Sequence, residues 1–338
     1  MRPVTTIKGI EYHLPERVVE NKQLQADHPD WDLAAVAAKT GVLSRHVAGE
    51  GEFASDLGYE AARKVFSSTG TRPEDIDALL FCTQSADYIM PPNATLLHAR
   101  LGLPKSVAAF DFTLACSGFV YGAAMAHSFI DALDYRRVLL VTADTYSRYL
   151  HHDDRSASTL FGDAGAAVLF ERSTSESRIL DILLGTDGAG GEKFIVRAGG
   201  LRVPRSPSTA QPKRDIAGNV HSDDKICMDG PAVLNFTKTI IPSNVKAILD
   251  RNQLSVRDLR LVLFHQASRL ALDRLAESLQ IPSDRTFSNL ASLGNTVSAS
   301  LPILIKDADR AGRLKSGDLV LFVGFGVGFS FGSCLMRW

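Results

Sequence analysis

The residue whose surroundings best fit covalent chemistry is Cys116, where a strand pattern gives way to a helix pattern within Phe110–Phe119. The following helix, predicted over Gly118–Leu133, is apolar on nearly all sides and is therefore expected to be buried. The partial positive charge and free N–H groups of a helix N-terminus favour a thiolate, which is the nucleophilic form of cysteine. Cys116 is thus a candidate nucleophile, and a buried structural cysteine is the alternative from this context alone.

Two further polar residues, His265 and Asn295, stand in sequence contexts where a substrate could reach them. His265 directly follows the predicted strand Leu261–Phe264, at the strand end where α/β proteins place ligands and catalytic groups. Asn295 lies in a run of small residues that would let a backbone or a substrate come close. Each residue also has an ordinary explanation when taken alone. His265 could be a core or surface histidine with its hydrogen bonds satisfied within the protein, and Asn295 could belong to a common Gly-Asn turn.

Two other patterns resemble functional motifs but do not meet their requirements. The glycine-rich segment Gly324–Gly332 lacks the third glycine of a dinucleotide loop, because Phe329 or Phe331 stands there, and no phosphate-binding GxxxxGK[ST] motif occurs. His151–Asp154 contains metal-ligand residue types, but adjacent ligands rarely converge on one ion. We therefore predict neither a nucleotide site of these types nor a metal site.

The elements that position these residues alternate between short apolar runs and longer helical patterns. The predicted strands are Ala78–Cys82, Val138–Val141, Ala166–Phe170, Leu261–Phe264 and Leu319–Val323, and the predicted helices are Asp56–Ser67, Gly118–Leu133, Ala232–Asp250 and Ser268–Leu279. Continuous hydrophobicity in the strands indicates sheets covered on both faces. The alternation predicts an α/β fold with mixed or parallel sheets.

An internal repeat divides the chain. Pro73–Phe81 resembles Val256–Phe264, and Tyr135–Val141 resembles Ser316–Phe322 at nearly the same offset, which indicates duplicated halves. We predict a first half over residues 1–184 containing the cysteine, and a second half over 230–338 containing the histidine and the asparagine. The intervening 185–229 is rich in glycine, proline, serine and charge, which is typical of a hairpin, a lid or a flexible linker.

The composition excludes several classes of protein. The 338 residues are 45% hydrophobic and carry 37 Lys+Arg against 38 Asp+Glu, a formal net charge of −1. No overall basic field would therefore draw the chain to nucleic acid or to a membrane surface. We find neither a signal peptide nor an apolar run of the ~18–20 residues that a membrane span needs. Four scattered cysteines fit no disulfide framework, which favours the reducing cytoplasm.

Several segments together resemble the 3-oxoacyl-[acyl-carrier-protein] synthase III family of condensing enzymes. The resemblance runs from the first strand, Gly9–Pro15, to the C-terminus. Its motifs are Ala115–Phe119 around the cysteine, Phe264–Ala267 around the histidine, Gly294–Ser300 around the asparagine, Phe161–Ala167, and Gly326–Trp338 at the C-terminus. The resemblance implies a thiolase-like fold, in which two similar halves form a five-layered α/β/α/β/α body.

The resemblance also implies a reaction. Cys116 would take an acyl group from acyl-CoA, and His265 and Asn295 would hydrogen-bond the thioester carbonyl of malonyl-ACP or malonyl-CoA during decarboxylation. The carbanion would then attack the acyl-Cys116 carbonyl to give a 3-oxoacyl thioester. The backbone N–H groups of Cys116 and of Val327, in the Gly326–Gly328 loop, would form the oxyanion hole. The resemblance implies no metal or redox cofactor.

Other family positions imply binding partners. Trp31 and Arg155 match the residues that sandwich the adenine of coenzyme A. Met90 matches the residue that a partner subunit inserts into the acyl tunnel, which implies a homodimer. Arg269 matches the arginine that docks the acyl carrier protein, although it stands one position early, with Leu270 in the usual place. Outside the resemblance, Trp31 could be a partly buried anchor, and Arg155 could form a surface ion pair with Asp153 or Asp154.

The chain departs from the family pattern at further positions. Val327 replaces the usual glycine of the C-terminal loop, Ser268 replaces the asparagine after the histidine motif, and Pro231 follows Gly230 where asparagine is usual. Together with a long 185–229 segment, these departures predict a specialised member of the family.

Two alternative functions remain open from the sequence. One is an acyltransferase that moves the acyl group from Cys116 to a hydroxyl or an amine, with His265 as general base. The other is a non-catalytic partner subunit that keeps the fold for assembly.

Overall fold

The structure is a computed structural model that describes residues 4–174, 176–215 and 218–338. Its helices are α1 (Asn21–Asp27), α2 (Leu33–Thr40), α3 (Ala54–Thr69), α4 (Asn93–Arg100), α5 (Gly118–Ala132), α6 (Arg155–Ser158), α7 (Gly230–Arg251), α8 (Arg269–Ser278), α9 (Leu290–Leu293) and α10 (Ser300–Arg310). Its strands are β1 (Val4–His13), β2 (Val18–Glu20), β3 (Ser44–His46), β4 (Ala78–Cys82), β5 (Ala108–Phe112), β6 (Arg137–Asp144), β7 (Ala164–Ser173), β8 (Arg178–Thr186), β9 (Phe194–Val196), β10 (Lys213–Arg214), β11 (Val220–His221), β12 (Ile226–Met228), β13 (Leu261–Phe264), β14 (Leu319–Gly326) and β15 (Ser330–Arg337). Every predicted strand and helix is present, with ends that differ by a few residues.

The two main sheets share one topology. The first has the order β1-β7-β6-β4-β5, and the second has the order β13-β14-β15-β8. In the first sheet β4 and β6 are parallel, and β7 pairs antiparallel with both β6 and β1. In the second sheet β13 and β14 are parallel, and β15 pairs antiparallel with both β14 and β8. The predicted duplication is therefore confirmed, since β8, β15, β14 and β13 repeat the arrangement of β1, β7, β6 and β4.

The helices complete five layers. Buried side chains of α5 and α10, among them Phe119 and Leu304, pack in one cluster with residues of both sheets, which places these helices between the sheets. Helices α3 and α4 cover the outer face of the first sheet, and α7 and α8 cover the outer face of the second. Both faces of each sheet are thus apolar, which explains the continuous hydrophobic runs of the strands. The five-layered α/β/α/β/α architecture is as predicted.

One predicted boundary is wrong. Strand β8 begins at Arg178, within the range assigned to the first half, but it pairs with β15 along the edge of the second sheet. The second half therefore begins before residue 185. The pairing could not be read locally, because β8 mixes buried and half-exposed side chains and its partner strand lies near the C-terminus.

The 185–229 segment is ordered through most of its length. It contains a short 3-10 helix over Gly188–Lys193, and its strands β9 and β12 pair antiparallel, as do β10 and β11. Phe194 and Ile226 of the β9–β12 pair are buried in the same cluster as Cys116. In its described residues the segment is part of the wall around Cys116 rather than a plain linker. Among the described residues, no helix has the length and hydrophobicity to span a membrane.

Candidate active site

Cys116 lies in the turn Ala115–Ser117 between β5 and α5 and is 3% exposed. The residue before it, Ala115, has a φ of +39°, in the left-handed region that a side chain disfavours. Such strain persists only where surrounding packing imposes it, and it is common at functional turns. The backbone thus holds the cysteine in a fixed position at the start of a buried helix.

The C-terminal loop presses directly against this cysteine. A Cβ atom on Gly326 would lie 2.7 Å from Cys116 Cβ and 3.1 Å from its Sγ, so only glycine fits there. The hydroxyl of Ser330 donates to the Val327 carbonyl at 2.7 Å and lies 2.7 Å from the hydroxyl of Ser117. These contacts fix the loop of the second half against the nucleophile turn of the first. Val327 does not have a positive φ, so its conformation does not require glycine.

The thiol of Cys116 is held in its neutral form. Burial raises its pKa, the nearby Asp144 carboxylate raises it further, and a backbone hydrogen bond lowers it by less. Desolvation of the charged form thus opposes the effect expected from the helix N-terminus. The thiol must lose its proton as it attacks, and a proton acceptor is needed nearby.

His265 follows β13 and is 1% exposed. Its ring meets the ring of Phe325 edge to face at 5.5 Å between centroids, and its Nδ1 is buried without a hydrogen-bond partner in the described structure. Burial lowers the pKa of His265 to about 3, so the imidazole is neutral at physiological pH. A neutral imidazole with an unused nitrogen can exchange a hydrogen bond or a proton with a bound substrate.

Asn295 is fixed through its backbone and its side-chain oxygen. Its N–H donates to the Leu160 carbonyl at 2.9 Å, and its own carbonyl accepts from Gly162 N–H at 3.0 Å. The side-chain Oδ1 accepts from Val297 N–H at 2.9 Å. Since the oxygen is engaged, the amide nitrogen remains as the donor that this residue can offer to a ligand.

Asp144, which sequence reasoning missed, connects Gln84 to the turn that follows Asn295. It ends β6 and is fully buried, and its Oδ2 accepts from both the N–H (3.2 Å) and the hydroxyl of Ser298, three residues after Asn295. Its Oδ1 accepts from Gln84 N–H at 2.8 Å. Burial raises the pKa of Asp144 to about 6, against the effect of these hydrogen bonds. The sequence did contain a signal for Asp144, because it places a carboxylate at the end of an apolar strand. Burying a carboxylate is costly, so a buried one usually has a structural or functional role.

One cavity of about 530 Å³ brings Cys116, His265 and Asn295 together. We call it the central cavity. Its walls are mostly apolar, and they include Leu160, Phe161, Phe194, Met228, Pro231, Val233 and Phe236. Lys39 of α2 and Leu270 of α8 also line it; both side chains are exposed, so they mark its mouth. The three residues selected from the sequence thus share one largely apolar site, and Lys39 is a cation that the sequence analysis missed.

Trp31 and Arg155 line a different cavity, of about 370 Å³, together with His28 and Asp153. Trp31 is 9% exposed, and its ring stacks on His28 at 3.8 Å between centroids and 5° between planes. The structure therefore places the predicted adenine-binding pair side by side, with one indole face covered by an imidazole. Their role in binding coenzyme A stays a prediction.

Arg269 and Met90 are not among the residues that line the central cavity. Arg269 packs against Gly41 and lines a separate cavity of about 270 Å³, while its neighbour Leu270 lines the central cavity. Met90 is 78% exposed, on a loop where Tyr88 and Ile89 are 62% and 99% exposed. Docking of a carrier protein at Arg269 and insertion of Met90 into a partner's tunnel stay predictions.

The remaining departures from the family pattern have local explanations. The hydroxyl of Ser268 accepts from Ala271 N–H at 3.3 Å and caps the N-terminus of α8. Pro231 stands in the first turn of α7, where its missing N–H is not needed. His151, His152 and Asp153 each place a ligand atom within 4.8 Å of the others, but three successive residues alone do not define a metal site.

Comparison with known proteins identifies relatives along the whole chain. The family model for 3-oxoacyl-[acyl-carrier-protein] synthase III matches residues 110–188, and the model for its C-terminal part matches residues 249–338. The beta-ketoacyl-[acyl-carrier-protein] synthase III of Symbiobacterium thermophilum is 36% identical, over 100% of this chain and 99% of that protein. A synthase III of Streptomyces coelicolor is also 36% identical, over 100% of this chain and 98% of that one.

Solved structures give the same result. A 2.1 Å crystal structure of a 3-oxoacyl-(acyl-carrier-protein) synthase III matches with a TM-score of 0.97 and 37% identity, over 99% of this chain and 100% of that one. The priming beta-ketosynthase from the R1128 polyketide biosynthetic pathway matches with a TM-score of 0.88 and 26% identity, over 99% and 96% of the two chains.

Proposed function

The chain belongs to the 3-oxoacyl-[acyl-carrier-protein] synthase III family of acyl-transferring condensing enzymes, and we propose that Cys116, His265 and Asn295 are its catalytic residues. The observation that carries this proposal is their convergence in the central cavity. The cysteine comes from the first half of the fold and the other two from the second, so the site exists only when the halves are joined.

The first proposed step is acylation. Cys116 Sγ attacks the carbonyl carbon of acyl-CoA, a new S–C bond forms, and the bond to the coenzyme A sulfur breaks. The proton of the thiol leaves as the bond forms and ends on the departing coenzyme A thiolate.

The second proposed step is decarboxylative condensation. A malonyl thioester loses CO₂, and the negative charge that develops on its thioester oxygen is stabilised by hydrogen bonds from His265 and Asn295. The carbanion forms a C–C bond to the acyl carbonyl carbon, and the bond to Cys116 Sγ breaks to give a 3-oxoacyl thioester. The cleaved carboxylate supplies the electron pair, and the released Cys116 thiolate takes a proton from water to restore the thiol, so the step balances without a metal or a redox cofactor.

The backbone N–H groups of Cys116 and Val327 are the proposed oxyanion hole. Gly326 brings the C-terminal loop into contact with the cysteine, and the hydrogen bonds of Ser330 hold that loop in place. Donors on a fixed backbone stabilise a developing oxyanion without reorganising during the reaction.

The thioester carriers are proposed to enter from the exposed side of the central cavity. Trp31 and Arg155 form the proposed adenine site of coenzyme A. Lys39 at the cavity mouth and the exposed Arg269 beside it are cations that an acidic carrier protein can meet, although the whole chain has a net charge of −1. The carrier of the extender is acyl carrier protein or coenzyme A.

A homodimer in the cytoplasm completes the proposal. Tyr88, Ile89 and Met90 form an exposed apolar patch on one loop, as a subunit contact would require. All four cysteines are free thiols, which fits a reducing compartment.

A single assay separates this function from the two alternatives. With acyl-CoA and malonyl-ACP, we expect CO₂ release to equal 3-oxoacyl product formation, and Cys116→Ala to abolish both. Cys227→Ala, at another free cysteine, is the matched control and should retain both activities. Acyl transfer without CO₂ release would instead indicate an acyltransferase, and activity only in the presence of a paralogue would indicate a partner subunit.

A further inference from the structure

A second cavity, of about 750 Å³, lies beside Cys116, and we call it the side cavity. Aromatic and branched side chains form much of its wall: Tyr146, Tyr149, Phe194, Ile195, Val196, Ile226 and Val327. Its polar lining consists of Gln84, Thr113 and, at an exposed position, Arg205. The side cavity therefore offers hydrogen-bonding groups beside its apolar wall.

The side cavity adjoins the nucleophile. Phe194 lines both cavities, and Val327 of the side cavity directly follows Gly326 of the central one. Cys116, Tyr146, Phe194 and Val327 also pack in one cluster. An acyl group bound to Cys116 has the side cavity as its immediate neighbour.

A hydrogen-bonded pair forms the inner part of the side cavity. The hydroxyl of Tyr146 donates to Gln84 Oε1, and Tyr146 is only 4% exposed. Burial raises the pKa of Tyr146 well above its ordinary value, so the phenol stays protonated and keeps donating. Asp144 accepts from the Gln84 backbone N–H and fixes the position of that residue. Since Gln84 Oε1 accepts the hydrogen bond from Tyr146, the N–H groups of Gln84 Nε2 are its remaining side-chain donors. These donors have no partner within the described residues.

An unpaired donor discriminates between acyl chains. A hydrocarbon chain would displace water from Gln84 Nε2 without accepting its hydrogen bond, which is unfavourable. An oxygen on the chain would accept that bond. Sites built around a hydrogen bond reject analogues that lack the matching group more strongly than apolar pockets reject a missing methylene.

We propose that the side cavity selects a primer whose acyl chain carries a hydroxyl or carbonyl oxygen, with Gln84 and Tyr146 as the specificity-determining residues. This inference rests on the proposed acylation of Cys116. The transfer itself is unchanged: the bond to Cys116 Sγ forms, the bond to the coenzyme A sulfur breaks, and the thiol proton passes to coenzyme A. The chain oxygen takes no part in bond making and serves only in recognition.

The test compares acylation rates for matched pairs of acyl-CoA. Butyryl-CoA is compared with 3-hydroxybutyryl-CoA and 4-hydroxybutyryl-CoA, and valeryl-CoA with 5-hydroxyvaleryl-CoA, by following the mass of the intact protein with time. We expect kcat/KM for at least one hydroxyacyl-CoA to exceed that of its hydrocarbon partner about tenfold or more. Gln84→Leu and Tyr146→Phe should each lower this ratio about tenfold. Tyr135→Phe, which removes a hydroxyl outside both cavities, should leave it unchanged.

The outcomes separate this inference from the function on which it rests. Equal or faster acylation by every hydrocarbon chain in the wild-type protein would overturn the inference and leave the catalytic assignment standing. An unchanged ratio in Gln84→Leu and Tyr146→Phe would overturn the assignment of these two residues. Failure of Cys116 to accept any acyl group would contradict both the inference and the proposed function.

Discussion

Burial acts on Cys116 and His265 in opposite directions and keeps both uncharged. It raises the pKa of the thiol and lowers that of the imidazole, so the resting site holds a neutral pair rather than a thiolate–imidazolium pair. A neutral thiol is protected from adventitious reaction until a thioester is bound. A neutral imidazole also keeps a nitrogen available for a hydrogen bond to the extender.

The buried His265 makes stability dependent on pH. Its pKa is about 3 in the folded protein and 6.5 ordinarily, so between these values the unfolded chain binds a proton that the folded chain does not. The free energy of unfolding is therefore highest, as far as His265 is concerned, above pH 6.5, and it decreases as the pH falls below that value. Between pH 7 and pH 5 this loss amounts to about 2 kcal/mol of unfolding free energy.

Urea unfolding of the wild type and of His265→Gln at pH 7 and pH 5 measures this effect. The variant should lack the extra acid destabilisation of about 2 kcal/mol. His152→Gln is the control at an exposed histidine and should behave like the wild type. An identical pH dependence in the wild type and His265→Gln would contradict a neutral buried His265.

At the scale of single residues, the sequence indicated the reacting groups but not their supports. Cys116, His265 and Asn295 each stand next to a recognisable strand or turn, and the structure brings all three to one cavity. Asp144, Gln84 and Tyr146 matter because of partners distant in the sequence, and no local pattern shows such pairings. The raised pKa of the Cys116 thiol could not be predicted from the sequence, because the degree of burial depends on the whole fold.

At the scale of elements, hydrogen bonds connect the end of β6 to the turn that follows Asn295, the residue proposed to act in the second step. The Asp144 carboxylate accepts two hydrogen bonds from Ser298, and Val297 between Asn295 and Ser298 has a φ of +53°. The hydrogen bonds to a buried carboxylate hold this strained turn in place. Asn295 is oriented by the same turn through Val297 N–H.

Ser298→Ala removes one of these bonds without touching the nucleophile turn. Because a hydrogen bond to a charged group contributes about 1.5–3 kcal/mol, condensation should slow at least about tenfold. Acylation of Cys116 should change less than about threefold, since Asn295 is proposed to act only on the extender. Ser292→Ala, an exposed serine before the turn, is the control. Equal slowing of acylation and condensation would contradict a specific role of Ser298 in positioning Asn295.

The elements themselves were more predictable than their pairing. Apolar strands such as β4 and β13 were found because they are buried on both faces, and the repeat was found because each follows a similar polar turn. The edge strand β8 and the strands of the 185–229 segment carry weaker patterns, and their partners are distant or short. Their places in the fold required the three-dimensional structure.

At the scale of the whole molecule, the active site joins the two halves. The hydroxyls of Ser117 and Ser330 meet across them, and Phe161 forms an isolated bridge with Asn295. The hydrophobic cluster around α5 and α10 likewise contains residues of both sheets. Each half alone would expose this apolar face, so the halves are one folding body rather than two independent domains.

The exposed loop of Tyr88, Ile89 and Met90 is the proposed subunit contact. Ile89→Glu should convert a dimer of the wild-type protein into a monomer, because it places a charge in an apolar interface. Light scattering after size-exclusion chromatography measures the mass directly. Leu201→Glu is the matched control, since Leu201 is as exposed as Ile89 but lies in another segment. A monomeric wild type, or dissociation by Leu201→Glu alone, would contradict this contact.

The central claim is that Cys116 carries the acyl group while His265 and Asn295 act on the extender. Intact-mass spectrometry of the wild type, Cys116→Ala, His265→Ala and Asn295→Ala, incubated with acyl-CoA and then with malonyl-ACP, tests it most directly. We predict an acyl adduct on every protein except Cys116→Ala, and loss of that adduct on addition of malonyl-ACP only in the wild type. An adduct on Cys116→Ala, or its discharge to a 3-oxoacyl product at the wild-type rate in His265→Ala and Asn295→Ala, would contradict the assignment.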